Sequence, residues 1–337
     1  MQDAGTERNR DRGAGDRDIP RRRFGSRFPQ LGVSFGLFTQ RTDAGDLKEN
    51  WKRMNERSAH DIETAHADYV LGSSDFEHQR LMLQGRILRL STEQFLRSGG
   101  LRPGMSVLDL GSGVGDVSML AASMVGPRGR VLGIDRDPVI TEKARRRARN
   151  EGFDGNIDFE VTDLDDFDST ERVDAVVGRY VLLYQKDPAA TLRRFARFLR
   201  PGGILVFHEV DFTAQSPSWP PCPLWDDSYR LLAEVYRANG TPPDFGRRLN
   251  RTFLDAGLPG PAVECHVPVA AGGDSPIVPW VAYSLRSLEP ALARAGLSLP
   301  TGLAADDTLA DLLAKALQEQ GSQALGQLQY GAWTRMP

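Results

Sequence analysis

Cysteine is nearly absent from this chain, which has two, Cys222 and Cys265, far apart and without metal-ligand spacing. That rules against a disulfide scaffold and against a thiolate metal knuckle, and leaves two reduced thiols as the expectation. Positive charge is not in surplus either. The formal net charge is −3, whereas a nucleic-acid binder usually carries a basic domain or stripe. There is no run of about 18 apolar residues to span a bilayer, and the charged N-terminus lacks the apolar segment of a secretory signal. The expectation is a soluble, cytoplasmic protein that binds neither membrane nor nucleic acid.

At 337 residues the chain is long enough for one elaborated α/β domain or for two small ones. Residues 1–45 are rich in Arg, Asp and Gly and poor in hydrophobes, so they bury too little apolar surface to offset ordering entropy. A disordered tail is expected there, with Arg21-Arg-Arg23 solvated or binding an anion. Residues 46–100 read as helices, a lid before the core. Trp51, Met54, Ile62 and Tyr69 punctuate a polar stretch, and Leu81, Leu83, Ile87, Leu88 and Leu90 tighten the pattern. Thr92 is placed to cap a helix through Phe95-Leu96, with Gly99-Gly100 as its stop.

The core is expected over 101–212, where strands and helices alternate. The strands are Val107–Leu110, Arg130–Asp135, Ile157–Val161, Val173–Val177 and Ile204–Phe207. Helices are expected over Pro138–Asn150 and Ala189–Leu199. Alternation of this kind makes βαβ crossovers and a mainly parallel sheet, whose ligands sit at the carboxyl ends of the strands. Those ends carry the chemistry: Gly111 to Gly115, Asp135, Asp163, Arg179 and His208. From 213 to 337 the core sheet is expected to end among helical insertions. Helices are read at Ser228–Ala238, Arg247–Ala256 and across 276–322, a sixth strand at Ala262–Ala270 and a last one at Gln329–Trp333. No internal repeat is evident.

The stretch Val107-Leu-Asp-Leu-Gly111-Ser-Gly113-Val-Gly115 is a buried strand running into a glycine turn. Glycine there permits positive φ and lets backbone N–H groups reach a ligand. The helix behind it offers unsatisfied donors and a positive dipole end. The turn is not the dinucleotide fingerprint, because its third glycine comes one residue early.

With Asp135, Asp163 and the turn Leu199-Arg-Pro-Gly-Gly203, this stretch resembles the class I S-adenosylmethionine-dependent methyltransferases. The resemblance covers about residues 75–212, and the helix end Phe253-Leu-Asp-Ala-Gly-Leu258 as well. It points to the small-molecule branch common in actinobacterial secondary metabolism. It implies a Rossmann-like sheet, mostly parallel with an antiparallel last strand, under a helical N-terminal lid and helical C-terminal insertions. It also implies a cofactor, S-adenosylmethionine.

The resemblance assigns roles residue by residue. Gly111, Ser112, Gly113 and Gly115 let backbone approach the methionine end of the cofactor, and Asp109 holds its ammonium or else caps backbone donors. Asp135 accepts the ribose hydroxyls or caps a helix, with Arg136 over one adenine face. Asp163 and the Leu164 N–H take the adenine edge, unless Asp163 shares a solvated acidic turn with Asp165 and Asp166. Gly178 and Arg179 pass beneath the reacting sulfur, or Arg179 makes a structural ion pair. Tyr69 and Gln84 close over the cofactor from the lid, or simply pack. The arginines 145–147 with Arg149 read as a solvated helix face.

Methyl transfer is an in-line displacement in which alignment and exclusion of water come first. If a base is needed, His208 is the candidate, with a hydrogen-bonded structural histidine as its rival. Tyr184 is a candidate for positioning the acceptor. A metal site from His208, Glu209 and Asp211 is disfavoured, because neighbouring strand residues point to opposite faces. The aromatics Trp219, Trp225, Tyr229, Tyr236, Trp280 and Tyr283 of the insertions suit either an acceptor cap or core packing. The macromolecular alternative lacks the Asn-Pro-Pro-Tyr type of motif, Gly178-Arg-Tyr-Val181 standing in its place. A cofactor-binding protein that transfers no methyl group is the other alternative.

Overall fold

The computed structural model describes residues 75–153, 155–299 and 308–337. The tail, most of the lid and Tyr69 lie outside the described residues. The first helix, α1 (Asp75–Gly99), is continuous for 25 residues. Thr92 therefore lies inside a helix rather than capping one. Its hydroxyl folds back to the carbonyl of Leu88 at 2.9 Å, the usual recourse of a mid-helix threonine. Nothing between Asp75 and Ser98 breaks a helix, and Gly100 ends it at φ 94°.

The alternation then proceeds: β1 (Ser106–Leu110), α2 (Asp116–Val125), β2 (Arg130–Asp135), α3 (Pro138–Asn150), β3 (Ile157–Val161), β4 (Val173–Arg179), α4 (Pro188–Ala196) and β5 (Leu199–Asp211). The starts of α3 and α4 share one device, an aspartate cap followed by proline. Asp137 accepts from the N–H groups of Val139 and Ile140, and Asp187 from that of Ala190. The remainder comprises β6 (Ser218–Trp219), α5 (Pro223–Ala238), α6 (Leu249–Asp255), β7 (Ala262–His266), β8 (Val269–Ala271), α7 (Ile277–Ser287), α8 (Glu289–Arg294), α9 (Thr308–Gln320), β9 (Gln323–Leu325) and β10 (Leu328–Arg335).

The main sheet has seven strands in the order β3-β2-β1-β4-β5-β10-β7, and only β10 runs antiparallel to its neighbours. This is the expected Rossmann-like sheet with its antiparallel last strand. Strand order reverses at β1, which lies between β2 and β4, so a crevice opens at the carboxyl ends of β1 and β4.

Further local expectations differ, beginning with the helix read over Ala189–Leu199, which ends at Ala196 because Leu199 already pairs with Val173 as the start of β5. The sixth strand breaks in two: Pro268, which has no N–H to give, separates β7 from β8, and β8 joins a second, small sheet ordered β6-β9-β8. The fifth strand runs on past Phe207 to Asp211, and so carries His208 and Glu209 inside the sheet. The expected helical stretch 276–322 resolves into α7, α8 and α9, with 300–307 undescribed.

Helix α1 packs on β5, β10 and α7, within the same compact unit as the sheet. Gly85 sits where α1 meets the start of α2; a Cβ there would fall 2.7 Å from Asp116 Oδ2. Among the described residues no helix is long and apolar enough to cross a membrane.

Candidate functional site

The glycine turn after β1 is held open by its neighbours. Gly111, Gly113 and Gly115 all have positive φ, at 58°, 53° and 86°. Ser112 donates its N–H to Ile134 at 2.9 Å, and Gly115 donates to Ser112 at 2.9 Å. From the end of β2, Asp135 Oδ2 accepts the Gly113 N–H at 2.9 Å, while its Oδ1 accepts the Asp137 N–H at 3.0 Å. Each of these oxygens keeps a further lone pair. A Cβ added at Gly113 would meet nothing within 4 Å, so the turn faces open space there.

Arg147 completes the cradle. It donates to the Val114 carbonyl at 2.7 Å and to Asp116 Oδ1 at 2.9 Å. Its neighbour Arg145 donates to the Phe159 carbonyl at 2.7 Å. The expected solvated arginine face thus spends two of its members on structure; both reach inward because α3 lies against β3 and the turn. The rest of the face, Arg146 and Arg149, makes surface ion pairs with Glu142, which Arg145 also approaches at 3.5 Å.

Beneath the turn, Asp109 is fully buried. Its Oδ2 accepts the Ser118 hydroxyl at 2.6 Å, and its Oδ1 has no partner. Burial raises its pKa to about 7, against the lowering effects of Ser118 and Arg179. Asp135 is also raised, again chiefly by burial. The Ser112 hydroxyl is buried and unpartnered. Unsatisfied buried acceptors of this kind are rare and call for a partner. An ammonium group would satisfy the bare Asp109 oxygen, and the half-buried Asp135, whose two oxygens each already accept one backbone N–H, has lone pairs left for a pair of adjacent hydroxyls. The residues therefore fit the amino-acid and ribose parts of S-adenosylmethionine.

The remaining candidates separate. Asp163 and Leu164 follow β3 in a turn where Asp163 Oδ1 accepts the Asp165 N–H at 2.9 Å. Arg136 is exposed at the mouth. Gly178 lies within the sheet, where a Cβ would strike Val181 at 2.8 Å and Phe207 at 2.9 Å; its need is packing. Arg179 is turned to structure, 3.3 Å from Asp116 Oδ2 and 3.3 Å from the Thr92 hydroxyl oxygen. Gln84 accepts from Arg80 at 2.7 Å.

His208 anchors a second cluster. Its Nδ1 lies 3.0 Å from Thr92 Oγ1 and its Nε2 lies 2.9 Å from Gln329 Oε1. The amide of Gln329 is fixed, because its Nε2 donates to the Gln327 carbonyl at 2.8 Å. Its Oε1 also accepts the Tyr180 hydroxyl at 2.6 Å. An amide oxygen accepts only, so His208 carries its proton on Nε2, and its bare Nδ1 shares the single Thr92 hydroxyl hydrogen with the Leu88 carbonyl. Burial and the Arg179 charge lower its pKa to about 3, so the ring stays neutral. Both ring nitrogens are engaged and the side chain is buried, an arrangement that suits positioning better than proton abstraction.

What this cluster positions is Tyr180, the only non-glycine residue with positive φ among the described residues, at 58°. Its N–H donates to the His208 carbonyl at 2.9 Å. On the far side of β5, Glu209 Oε1 accepts the N–H groups of Val181 at 3.1 Å and Leu182 at 2.8 Å. A strained backbone at the end of β4 is thereby held by four contacts. Tyr180, Phe212, Tyr236, Trp280 and Gln84 line a narrow cleft between α1, α5 and α7. Of the other aromatics, Trp225 and Tyr229 are fully buried and bonded to Leu325 and Gly326, and Trp219 is exposed. Tyr184 lies 3.3 Å, oxygen to oxygen, from Tyr236 at the rim.

Sequence reasoning did not find Ser118, Arg147, Tyr180 or Gln329. Ser118 carries a weak signal, a small polar residue in the first turn behind the glycines. The others act across long sequence separations.

A family model described as a methyltransferase domain matches residues 101–237. An uncharacterized 37.1 kDa protein in transposon TN4556 of Streptomyces fradiae is 36% identical over 163 residues, 48% of this chain and 46% of that protein. The ubiquinone/menaquinone biosynthesis C-methyltransferase UbiE of Hydrogenovibrio crunogenus is 31% identical over 149 residues, 44% of this chain and 58% of that protein. The protein of the same name from Ectopseudomonas mendocina is 30% identical over 193 residues, 52% of this chain and 74% of that protein. The chain thus spans about half the length of the first two relatives and about three quarters of the third.

Proposed function

Because the chain belongs to the class I S-adenosylmethionine-dependent methyltransferases, we propose that it transfers a methyl group to a small-molecule acceptor, a secondary metabolite, by in-line displacement. The observation that carries this reading is a pair of carboxylates, the fully buried Asp109 and the half-buried Asp135, set around the glycine turn where the strand order reverses. Asp109 receives the ammonium of the cofactor and Asp135 its ribose hydroxyls. Asp163 and the Leu164 N–H take the adenine edge, with Arg136 at the mouth. The bound cofactor supplies a methyl group on a positively charged sulfur.

The chain's own residues then align and dry the site. Tyr180, at the end of β4, is fixed by Gln329 and His208 and faces the cleft that receives the acceptor. Helix α1 covers the sheet beside it and excludes water. His208 acts through Gln329 and Tyr180 as a positioning residue. A small acceptor is supported over a macromolecule by the narrowness of the cleft and by the acidic charge balance. Relatives named for ubiquinone/menaquinone biosynthesis support it as well.

Calorimetry tests the cofactor half of this reading. Heat of binding is expected with S-adenosylhomocysteine and none with NAD; the reverse pattern overturns it. Mass spectrometry after incubation with S-adenosylmethionine tests transfer, with a gain of one methylene on the acceptor expected.

A further inference from the structure

A cavity of about 220 Å³ opens between α1 and α3, beside the glycine turn. Its floor is aliphatic: Leu81 and Met82 from α1 and Val114 from the turn. Its rim is cationic, with Lys143, Arg146 and Arg147 on one face of α3 at spacings of three and four. No acid and no aromatic ring lines it, so Asp109, Asp135 and Asp163 of the crevice lie elsewhere. It is separate from the narrow cleft as well. Arg80 and Gln84 share the face of α1 that lines the cleft, whereas Leu81 and Met82 are turned from it toward α3.

The three cations differ in what they are free to do. Arg147 is committed to the Val114 carbonyl at 2.7 Å and to Asp116 at 2.9 Å. Arg146 lies 4.0 Å from Glu142. Lys143 is half-buried, yet makes no hydrogen bond or ion pair among the described residues. A half-buried ammonium above aliphatic walls is an anchor for an anion with an apolar tail. One free positive charge matches a carboxylate better than a phosphate dianion, and walls without rings suit an aliphatic chain. The volume is about half as large again as the ~150 Å³ apolar cavity that holds benzene, which leaves room for about eight carbon atoms.

We propose that this cavity binds a medium-chain aliphatic carboxylate, with its headgroup on Lys143 and its chain along Leu81, Met82 and Val114. The site is a second one, independent of the crevice and of methyl transfer.

The test uses the full chain and three probes, octanoate, acetate and octylammonium, each measured by calorimetry. Octanoate is expected to bind at one site per chain. Acetate has the charge without the chain, and octylammonium the chain with the opposite charge; both are expected to bind at least about tenfold more weakly. Lys143→Met keeps the stem and removes the charge, and is expected to weaken octanoate about tenfold or more, whereas Lys143→Arg retains it. Met82→Glu, which sets a carboxylate on the floor, is expected to weaken it at least as much. The affinity of Lys143→Met for S-adenosylhomocysteine should equal that of the parent, which shows that the variant is folded. Octanoate that fails to bind or never saturates, octylammonium that binds as well, or Lys143→Met that binds octanoate like the parent overturns the proposal. So does octanoate binding that disappears when S-adenosylhomocysteine saturates the protein, since that would place the chain in the crevice. Octanoate binding to a protein that takes no S-adenosylhomocysteine would sink the methyltransferase reading and leave this site standing.

Discussion

A fully buried carboxylate with one bare oxygen and a pKa near 7 is poised to change charge when a cation arrives. Asp109 is such a group. Binding an ammonium beside it favours the ionised form, so below pH 7 cofactor binding should expel a proton. Calorimetry of S-adenosylhomocysteine at pH 6 in buffers of different ionisation enthalpy is expected to reveal release of up to about one proton, fading by pH 8 and absent in Asp109→Asn. Asp135→Ala should weaken the same binding on the order of ten- to a hundredfold, since a hydrogen bond to a charged group contributes about 1.5–3 kcal/mol; unchanged affinity would remove Asp135 from the site. For His208 the expectation is negative. With its pKa at about 3, the pH profile of kcat should lack a limb near 6.5 that vanishes in His208→Asn. At this scale the sequence was readable where a residue's place along one strand set its position, as for Asp109 inside β1 and Asp135 at the end of β2 against the glycine turn. It was not readable for Thr92 and Gln329. These meet His208 from 116 and 121 residues away, and no local pattern encodes such a meeting.

Elements decide how that chemistry is held in register. Helix α1 approaches α2 closely enough that Gly85 has no room for a side chain, with Asp116 already tied to Arg147 and Arg179. Gly85→Leu should force the helix away or break those ion pairs, an overpacking cost of about 1–3 kcal/mol. Thermal unfolding should fall by roughly 2–6 °C, at about 2 °C per kcal/mol for a domain of this size. The affinity for S-adenosylhomocysteine should fall with it, because Asp116 begins the helix behind the glycine turn. A Tm equal to or above that of the parent would contradict the packing. The long strands were legible because apolar runs bounded by glycine and proline are local signals. The small sheet of β6, β8 and β9 was not, since strands of two or three residues carry no period to detect. The extension of β5 through Asp211 was hidden for a different reason. His208, Glu209 and Asp211 look like a strand's polar end until β10 arrives from 117 or more residues later to pair with them.

For the whole molecule, the buried ionisable groups set how stability depends on pH. Glu209 is raised from 4.5 to about 8 by burial, against the lowering effect of the backbone N–H groups it accepts, and Asp109 is raised from 3.8 to about 7. In the unfolded chain both ionise near their ordinary values, so between about pH 4.5 and 8 the folded state binds more protons than the unfolded one. Stability from these groups is complete below pH 4 and drains as pH climbs through the folded values, at about 1.4 kcal/mol per pH unit for each proton difference. His208 works the other way. Lowered from 6.5 to about 3, it stabilises the fold above 6.5 and withdraws that support as pH falls toward 3. At pH 5.5 two carboxylates oppose one imidazole, so the ligand-free protein should still lose stability on going up in pH. From about pH 7.5 upward, where the unfolded histidine has lost its proton as well, the slope comes from the carboxylates alone. Urea unfolding at intervals from pH 5 to 8.5 measures this directly. Glu209→Gln keeps an acceptor for Val181 and Leu182 while removing the proton, and is expected to remove most of the slope between pH 7 and 8, where Asp109 completes its ionisation. A parent and a variant with parallel curves over that interval would mean that Glu209 ionises freely in the fold. The hydrogen bonds holding the Tyr180 turn would then rest on a charge rather than on a neutral acid.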